Sequence, residues 1–268
     1  MTVVALLSVK GSPGVTTAAA ALAAAAAASE RRTLLVELDP SGGDLRLLAA
    51  EPPSEPNLVH AAGELRHMRG ADAALDAEAV DVLPGLRGLA APAGAAEAAA
   101  VVSSIGGDRW MPAFRGWSGT VVVDAGRWDP RQEAAGRIAG ADVVLLVCRA
   151  AAPSVEHARH LVVTVRQAAQ RPVAALVVGQ RPYPPDVVAA ALDLPLAGGL
   201  AWDARGAAAL WAKGAVPGGL RSPLVRSAAK VLAGVEALVP APAVPAAATT
   251  DVAESTAADV AEAAGVRP

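Results

Sequence analysis

Seven apolar runs of strand length, at residues 3–9, 34–38, 86–91, 120–123, 143–148, 173–178 and 196–201, alternate along this chain with stretches of helical character. The runs are continuous Val, Leu and Ala, not alternating apolar and polar, which is the pattern of strands buried on both faces. Such strands need helices above and below them. The expected fold class is therefore α/β, a mostly parallel sheet with helices on both faces. Helix candidates fill the gaps at 16–29, 95–104, 130–139, 154–169, 185–192, 203–212 and 222–238. Several carry start signals: Ser154 and Asp203 suit N-caps, Ser222-Pro223 places Pro at a first helical position, and Pro184-Pro185-Asp186 suits a first turn. The segment 51–81, with Pro52, Pro53 and Pro56, is the least regular and is expected to hold loops and short helices.

A chain of 268 residues can bury a large core, and the regular pattern assigns one folded domain to residues 1–238. From 239 the sequence turns to Pro and Ala and then to an acidic, alanine-rich end. Such a segment buries too little surface to offset chain entropy, so 239–268 is expected to be a disordered tail. Hydrophobic residues make up 53% of the chain, but much of that is alanine. The apolar stretch 17–29 falls short of the roughly 20 residues that span hydrocarbon, so no transmembrane helix is expected. The start, Met1-Thr2-Val3, lacks the basic region and cleavage pattern of a signal peptide, and the expected location is cytoplasmic. The single Cys148 excludes an internal disulfide and reads as a small buried hydrophobe. His60, His67, His157 and His160 show no metal-ligand spacing. The net charge of −3 gives no global pull toward nucleic acid, although Arg205, Lys213, Arg221, Arg226 and Lys230 cluster against one acid, Asp203. That cluster reads first as a solvated helical surface, with a weaker case for a nucleic-acid patch. Trp110, Trp117 and Trp128 flank the 120–123 run and read as core packing close to whatever site forms there.

In an open parallel sheet a ligand sits beyond the C-terminal ends of the strands. The first run is followed there by residues 10–17, Lys-Gly-Ser-Pro-Gly-Val-Thr-Thr, and then by an alanine-rich helix. A glycine-bearing loop of this kind cradles phosphate because successive backbone N–H groups and a helix N-terminus point at the anion, while a Thr hydroxyl offers a ligand to Mg²⁺. The phosphate lysine of G-x-x-x-x-G-K-[ST] is missing. Val15 holds its place, and a lysine stands earlier, at Lys10. The second run leads into residues 37–44, Glu-Leu-Asp-Pro-Ser-Gly-Gly-Asp, and the fourth into Asp124-Ala-Gly-Arg127. Carboxylates at those strand ends, beside a phosphate loop, are the arrangement that holds Mg²⁺ through water and positions an attacking water.

With these residues in this order the chain resembles the deviant Walker A ATPases of the MinD/ParA group, over roughly residues 3–238. The resemblance extends to residues 141–148, Ala-Asp-Val-Val-Leu-Leu-Val-Cys, and to 200–203, Leu-Ala-Trp-Asp, similar to the group's "I-P-x-D" segment near the base pocket. It implies a P-loop fold that often dimerises with two ATP molecules sandwiched at the interface. By the same resemblance Lys10 is the signature lysine that reaches the partner's phosphates, with both a catalytic and a nucleotide-binding role. Gly11, Ser12, Pro13, Gly14, Val15, Thr16 and Thr17 would form the ATP loop, Ser12 replacing a Gly. Thr16, Asp39 and Asp124 would serve Mg²⁺, Asp39 also positioning the hydrolytic water. Asp203 falls in the base-pocket segment. Glu37 stands where the group commonly has another Asp, and Gly179-Gln180 stands where it has a base-recognising Asn.

Val15 in place of the second lysine removes a charge-assisted phosphate contact worth about 1.5–3 kcal/mol, so binding would weaken about ten- to a hundredfold. A well-placed transition-state donor is worth about a hundred- to a thousandfold in rate. Turnover should therefore suffer more than affinity. Pro13 also removes one N–H donor from the loop. The chain has only three lysines, so one at the signature position favours a retained role. The expectation is a nucleotide-dependent or pseudo-ATPase localisation or scaffold factor of the pilus, secretion or cell-pole type (CpaE/TadZ-like), acting as a homodimer with a protein partner of that machinery. The alternative is a ParA-type chromosome or plasmid partition ATPase with weak hydrolysis and non-specific DNA binding. The acidic Pro/Ala tail argues against direct membrane binding.

Overall fold

The computed structural model describes residues 1–10, 13–49, 57–66, 71–104, 107–129, 135–212 and 221–239. Gly11, Ser12, Lys213 and the tail from 240 onward lie outside the described residues. Among the described residues eight strands form one sheet: β1 (Thr2–Ser8), β2 (Thr33–Glu37), β3 (Val80–Leu83), β4 (Leu86–Leu89), β5 (Thr120–Arg127), β6 (Val143–Arg149), β7 (Val173–Val178) and β8 (Leu196–Leu200). Their spatial order is β3-β4-β2-β5-β1-β6-β7-β8. Every neighbouring pair is parallel except β3 and β4, an antiparallel hairpin at one edge. The chain starts in the middle of the sheet, runs out to one side through β2 and β4, and returns past β1 to β6. The end of β1 is thus the topological switch point, where open α/β sheets bind ligands.

Along β1 the side chains alternate between two cores. Val3, Ala5 and Leu7 enter one, and Val4 and Leu6 enter the other. The first core is covered by α2 (Asn57–Arg66), α3 (Ala71–Glu78), α4 (Ala95–Ser104), α5 (Gly107–Arg115), α6 (Ala152–Ala169) and α7 (Pro185–Ala191). The second is covered by α1 (Val15–Ala27), α8 (Ala204–Trp211) and α9 (Pro223–Leu238). Ala18 through Ala26 of α1 are buried almost without interruption, so this helix has no solvent face along that stretch. A helix apolar all round belongs inside a protein, and alanine lets it lie close to both the sheet and α9.

The differences from the sequence reading are local. The 51–81 region yields α2, α3 and the start of β3, and the hairpin strand itself was not anticipated. Helix α5 was not anticipated either; it carries Pro112 inside a helix, which sequence rules place at helix starts or breaks. The expected helix at 130–139 contributes only a 3-10 turn at Ala135–Arg137, its first half lying outside the described residues. Strand β5 continues through Arg127, so Asp124 lies inside it and not after it. Among the described residues no helix is long and apolar enough to cross a membrane.

Gly234 shows how closely α9 approaches the sheet: a Cβ there would lie 2.3 Å from the Ala197 carbonyl oxygen of β8. Gly234→Ala should cost about 1–3 kcal/mol through overpacking. Gly63→Ala, at a helical position with open space around it, should be neutral or gain about 0.5–1 kcal/mol. Urea unfolding of the two variants checks this; equal effects would show that the α9–β8 contact yields easily.

Candidate functional site

The loop after β1 enters α1 through Gly14, whose backbone lies in the left-handed region at φ 88° and caps the helix without any side-chain cap bond. The first N–H groups of α1 therefore face outward, as an anion site requires. They open onto a cavity of about 590 Å³ lined by Pro13, Gly14, Val15, Thr16 and Thr17 from this loop, with Asp39, Asp44, Gly126 and Trp211 from its surroundings. Val15 is 7% exposed and packs into the core shared by α1 and the sheet. It brings no charge to the cavity.

Opposite the loop stand the acids. Strand register sets Glu37 of β2 beside Asp124 of β5, and both are buried. Asp124 Oδ1 accepts from the Gly126 N–H at 2.9 Å, whereas Oδ2 is buried without a hydrogen-bond partner. Burial pushes the Asp124 carboxyl up to about 6, against the pull of the Thr16 hydroxyl and the Gly126 N–H; the Asp39 charge raises it further and Arg137 opposes that. Asp39 is half-buried and accepts from the Ser41 N–H at 2.8 Å. Its carboxyl rests on Gly126, where a Cβ would lie 2.2 Å from Asp39 Cγ and where φ is +65°. Only glycine allows that approach. Thr16, Asp39 and Asp124 are thus close enough to interact.

Glu37 does something else. Its oxygens accept from the N–H groups of Asp44 at 2.7 Å, Leu45 at 3.2 Å and Ala91 at 3.2 Å. It clamps the loop after β2 onto the end of β4, and burial pushes its carboxyl up to about 8, with the Asp124 charge adding to the rise and the backbone N–H bonds opposing it. Burial thus raises both carboxyls, Glu37 further than Asp124. A buried cation completes the group. Arg137, 3% exposed, donates to the carbonyls of Ala125 and, at 3.4 Å, Arg127. Burial lowers its pKa, and the charges of Asp39, Asp124 and Asp129 raise it again. Nothing in the Gly-Arg-Ile sequence around it announces this role.

The residues present fit a Mg²⁺ ion in outline: Thr16 and Asp39 line the cavity, and the buried Asp124 that couples to both keeps one carboxylate oxygen without a partner. Among the described residues no group of three or more His, Cys, Asp or Glu side chains forms a metal cage. An ion here would need phosphate oxygens and water to complete its shell.

No protein-family model and no curated protein sequence matches this chain. Solved structures do. A ParA family ATPase from Chlorobium tepidum superposes with a TM-score of 0.68 at 17% identity, covering 86% of this chain and 98% of that one. MinD from Pyrococcus horikoshii, in complex with Mg-ADP, gives 0.66 at 16% identity over 88% and 98%. An ATP complex of McdA from Cyanothece gives 0.64 at 17% over 90% and 98%. This is the MinD/ParA fold.

On that fold the remaining expected residues fall in separate places. Lys10 is exposed and lines a different cleft, with Arg127, Trp128, Asp129, His157 and His160. Gln180 is exposed and lines a cavity with Arg149, Arg181 and Trp202. Asp203 caps α8, accepting from the Gly206 N–H at 2.8 Å, and also accepts from the Leu224 N–H at 3.3 Å. The tryptophan expectation needs correction. Trp117, whose indole N–H donates to Asp76 at 2.9 Å, and Trp110, whose indole N–H donates to the Val102 carbonyl, pack before β5 begins, at the opposite end of the sheet. Of the three only Trp128 adjoins the site. The tryptophans that line its cavities are Trp211, donating to the Thr17 hydroxyl at 3.2 Å, and Trp202, with the Arg149 guanidinium 4.5 Å above its ring.

Glu37 carries a pH prediction. Its carboxyl holds a proton in the folded chain up to about pH 8 and releases it near the ordinary glutamate value of 4.5 when unfolded. The folded state therefore binds more protons between those limits, and stability falls as pH rises through them. Without Mg²⁺ or nucleotide, urea midpoints should drop from pH 5.5 to pH 8, and Glu37→Gln should flatten that drop. A wild-type midpoint that holds or rises over this range would contradict the assignment.

Proposed function

We propose that this chain is a MinD/ParA-like localisation or scaffold factor that binds Mg-ATP with weak or absent hydrolysis, acting as a homodimer on a protein partner. The observation that carries the reading is a contrast: Thr16 and Asp39 line the phosphate cavity and couple to the buried Asp124, whose Oδ2 has no hydrogen-bond partner, while the position of the phosphate lysine is filled by a buried Val15. Thr16, Asp39 and Asp124 would hold the Mg²⁺, which would neutralise charge on the phosphate oxygens. The first N–H groups of α1 would hold the phosphates, and Asp39 would orient a water. With Val15 inert, charge developing in a transition state goes unanswered from this side, a deficit of about a hundred- to a thousandfold in rate. The exposed Lys10, turned to another cleft, would act on the partner copy's phosphates. The Mg-ADP of the MinD neighbour and the ATP of the McdA neighbour support a nucleotide in this position. The altered loop supports a scaffold of the pilus, secretion or cell-pole type over a motor.

A second reading, a partition ATPase with non-specific DNA binding, draws on the exposed Arg205, Arg221, Arg226 and Lys230 of the α8–α9 face. It requires duplex binding that weakens steeply with salt and disappears in Arg221→Ala/Arg226→Ala.

Two measurements test the main reading. Millimolar Mg-ATP should change tryptophan fluorescence, through Trp202 and Trp211, and raise the thermal midpoint, whereas phosphate release should not exceed that of Asp39→Ala. Indifference of fluorescence and midpoint to Mg-ATP would end the binding claim. Release well above the Asp39→Ala variant would end the weak-turnover claim.

A further inference from the structure

Beside the phosphate cavity, and sharing Pro13, Gly14 and Thr17 with it, lies a second cavity of about 310 Å³. Its floor is apolar: Ala18, Leu200 and Leu224 are at most 5% exposed. Its mouth is an exposed aromatic platform, Trp202, 63% exposed after β8, covered on one face by Arg149 from the end of β6 at 4.5 Å.

The polar side chains that line this cavity already have partners within the protein, and the exposed Gln180 amide belongs to the adjoining cavity. Asp203 uses Oδ1 on the Gly206 N–H and Oδ2 on the Leu224 N–H. The Thr17 hydroxyl accepts from the Trp211 indole, and Arg149 lies on Trp202. The nearby backbone donors Gly179 N–H and Ala201 N–H are taken by the Leu200 carbonyl and the Ser227 hydroxyl. Adenine and guanine differ only in the donors and acceptors on their edges, and strong discrimination requires site groups built to pair with those edges. Stacking on an aromatic face tolerates every base, because each has a π-face.

We propose that this cavity chooses its ligand by stacking and not by hydrogen bonding: Trp202, with Arg149 as its cationic cap, receives the base of a nucleoside triphosphate and accepts adenine and guanine alike. Trp202 is then the affinity-determining residue of the base side. The inference rests on the nucleotide-binding reading above and adds that the ligand is a purine nucleotide of either kind.

Calorimetric titration of the full chain with Mg-ATP, Mg-GTP and Mg-tripolyphosphate separates the two claims. ATP and GTP should bind within about threefold of each other. Trp202→Ala, at an exposed position that will not compromise folding, should weaken both about tenfold and leave tripolyphosphate unchanged, whereas Trp202→Phe should keep most of the affinity. A preference of about thirtyfold or more for one base, or unchanged nucleotide affinity in Trp202→Ala, overturns the stacking proposal. So does tripolyphosphate binding as tightly as either nucleotide, which leaves the phosphate loop functional with no base held. If none of the three binds, the nucleotide-binding reading itself falls.

Discussion

A carboxylate carried into the middle of a hydrophobic sheet has to be answered, and most of this site is the answer to Asp124. Strand β5 does not stop where its apolar run ends; it continues to Arg127 between β1 and β2 and takes the acid into the interior. One oxygen is met by the Gly126 N–H. Arg137 reaches in from the next segment to the carbonyls on either side of Gly126. Glu37 on the neighbouring strand avoids adding a second buried charge by keeping its proton at neutral pH. What is left is one buried oxygen without a hydrogen-bond partner. A buried polar atom without a partner costs free energy that a bound cation would recover.

The loop side is built to different ends. In a phosphate loop with its lysine, the protein supplies positive charge at the moment phosphate bonds change. Here that position feeds the core: Val15 belongs to the packing of α1, a helix whose alanines bring it close to the sheet and α9. The acids and the helix N-terminus are retained while the mobile cation is not. On the proposed reading, such a division is what would favour holding a nucleotide over cleaving it.

Much of this was legible in the sequence, for identifiable reasons. Strands buried on both faces announce themselves as continuous Val, Leu and Ala, so seven of the eight were found; the eighth, β3, is a short edge strand whose partial exposure hides it. Thr16, Asp39 and Asp124 could be placed because each follows or ends an apolar run, and sheet topology forces those ends together. Arg137 and Trp211 could not, since their segments read only as helices, and the two side chains reach the site only in three dimensions. Trp202 stood inside a segment read for its neighbour Asp203, which caps α8 as its sequence position suggests. Helix α5 escaped because Pro112 reads as a breaker while tertiary packing of Trp110 and Phe114, both fully buried, holds the helix regardless.

The central claim is that the unpartnered Asp124 oxygen belongs to a Mg²⁺–nucleotide site. The most direct measurement is ATP affinity by calorimetry as a function of free Mg²⁺, for the wild type and for Asp124→Asn. The account predicts that wild-type affinity rises with Mg²⁺ and that the Asn variant loses most of that dependence while remaining folded. Wild-type affinity indifferent to Mg²⁺, or an Asn variant that responds as the wild type does, would contradict it.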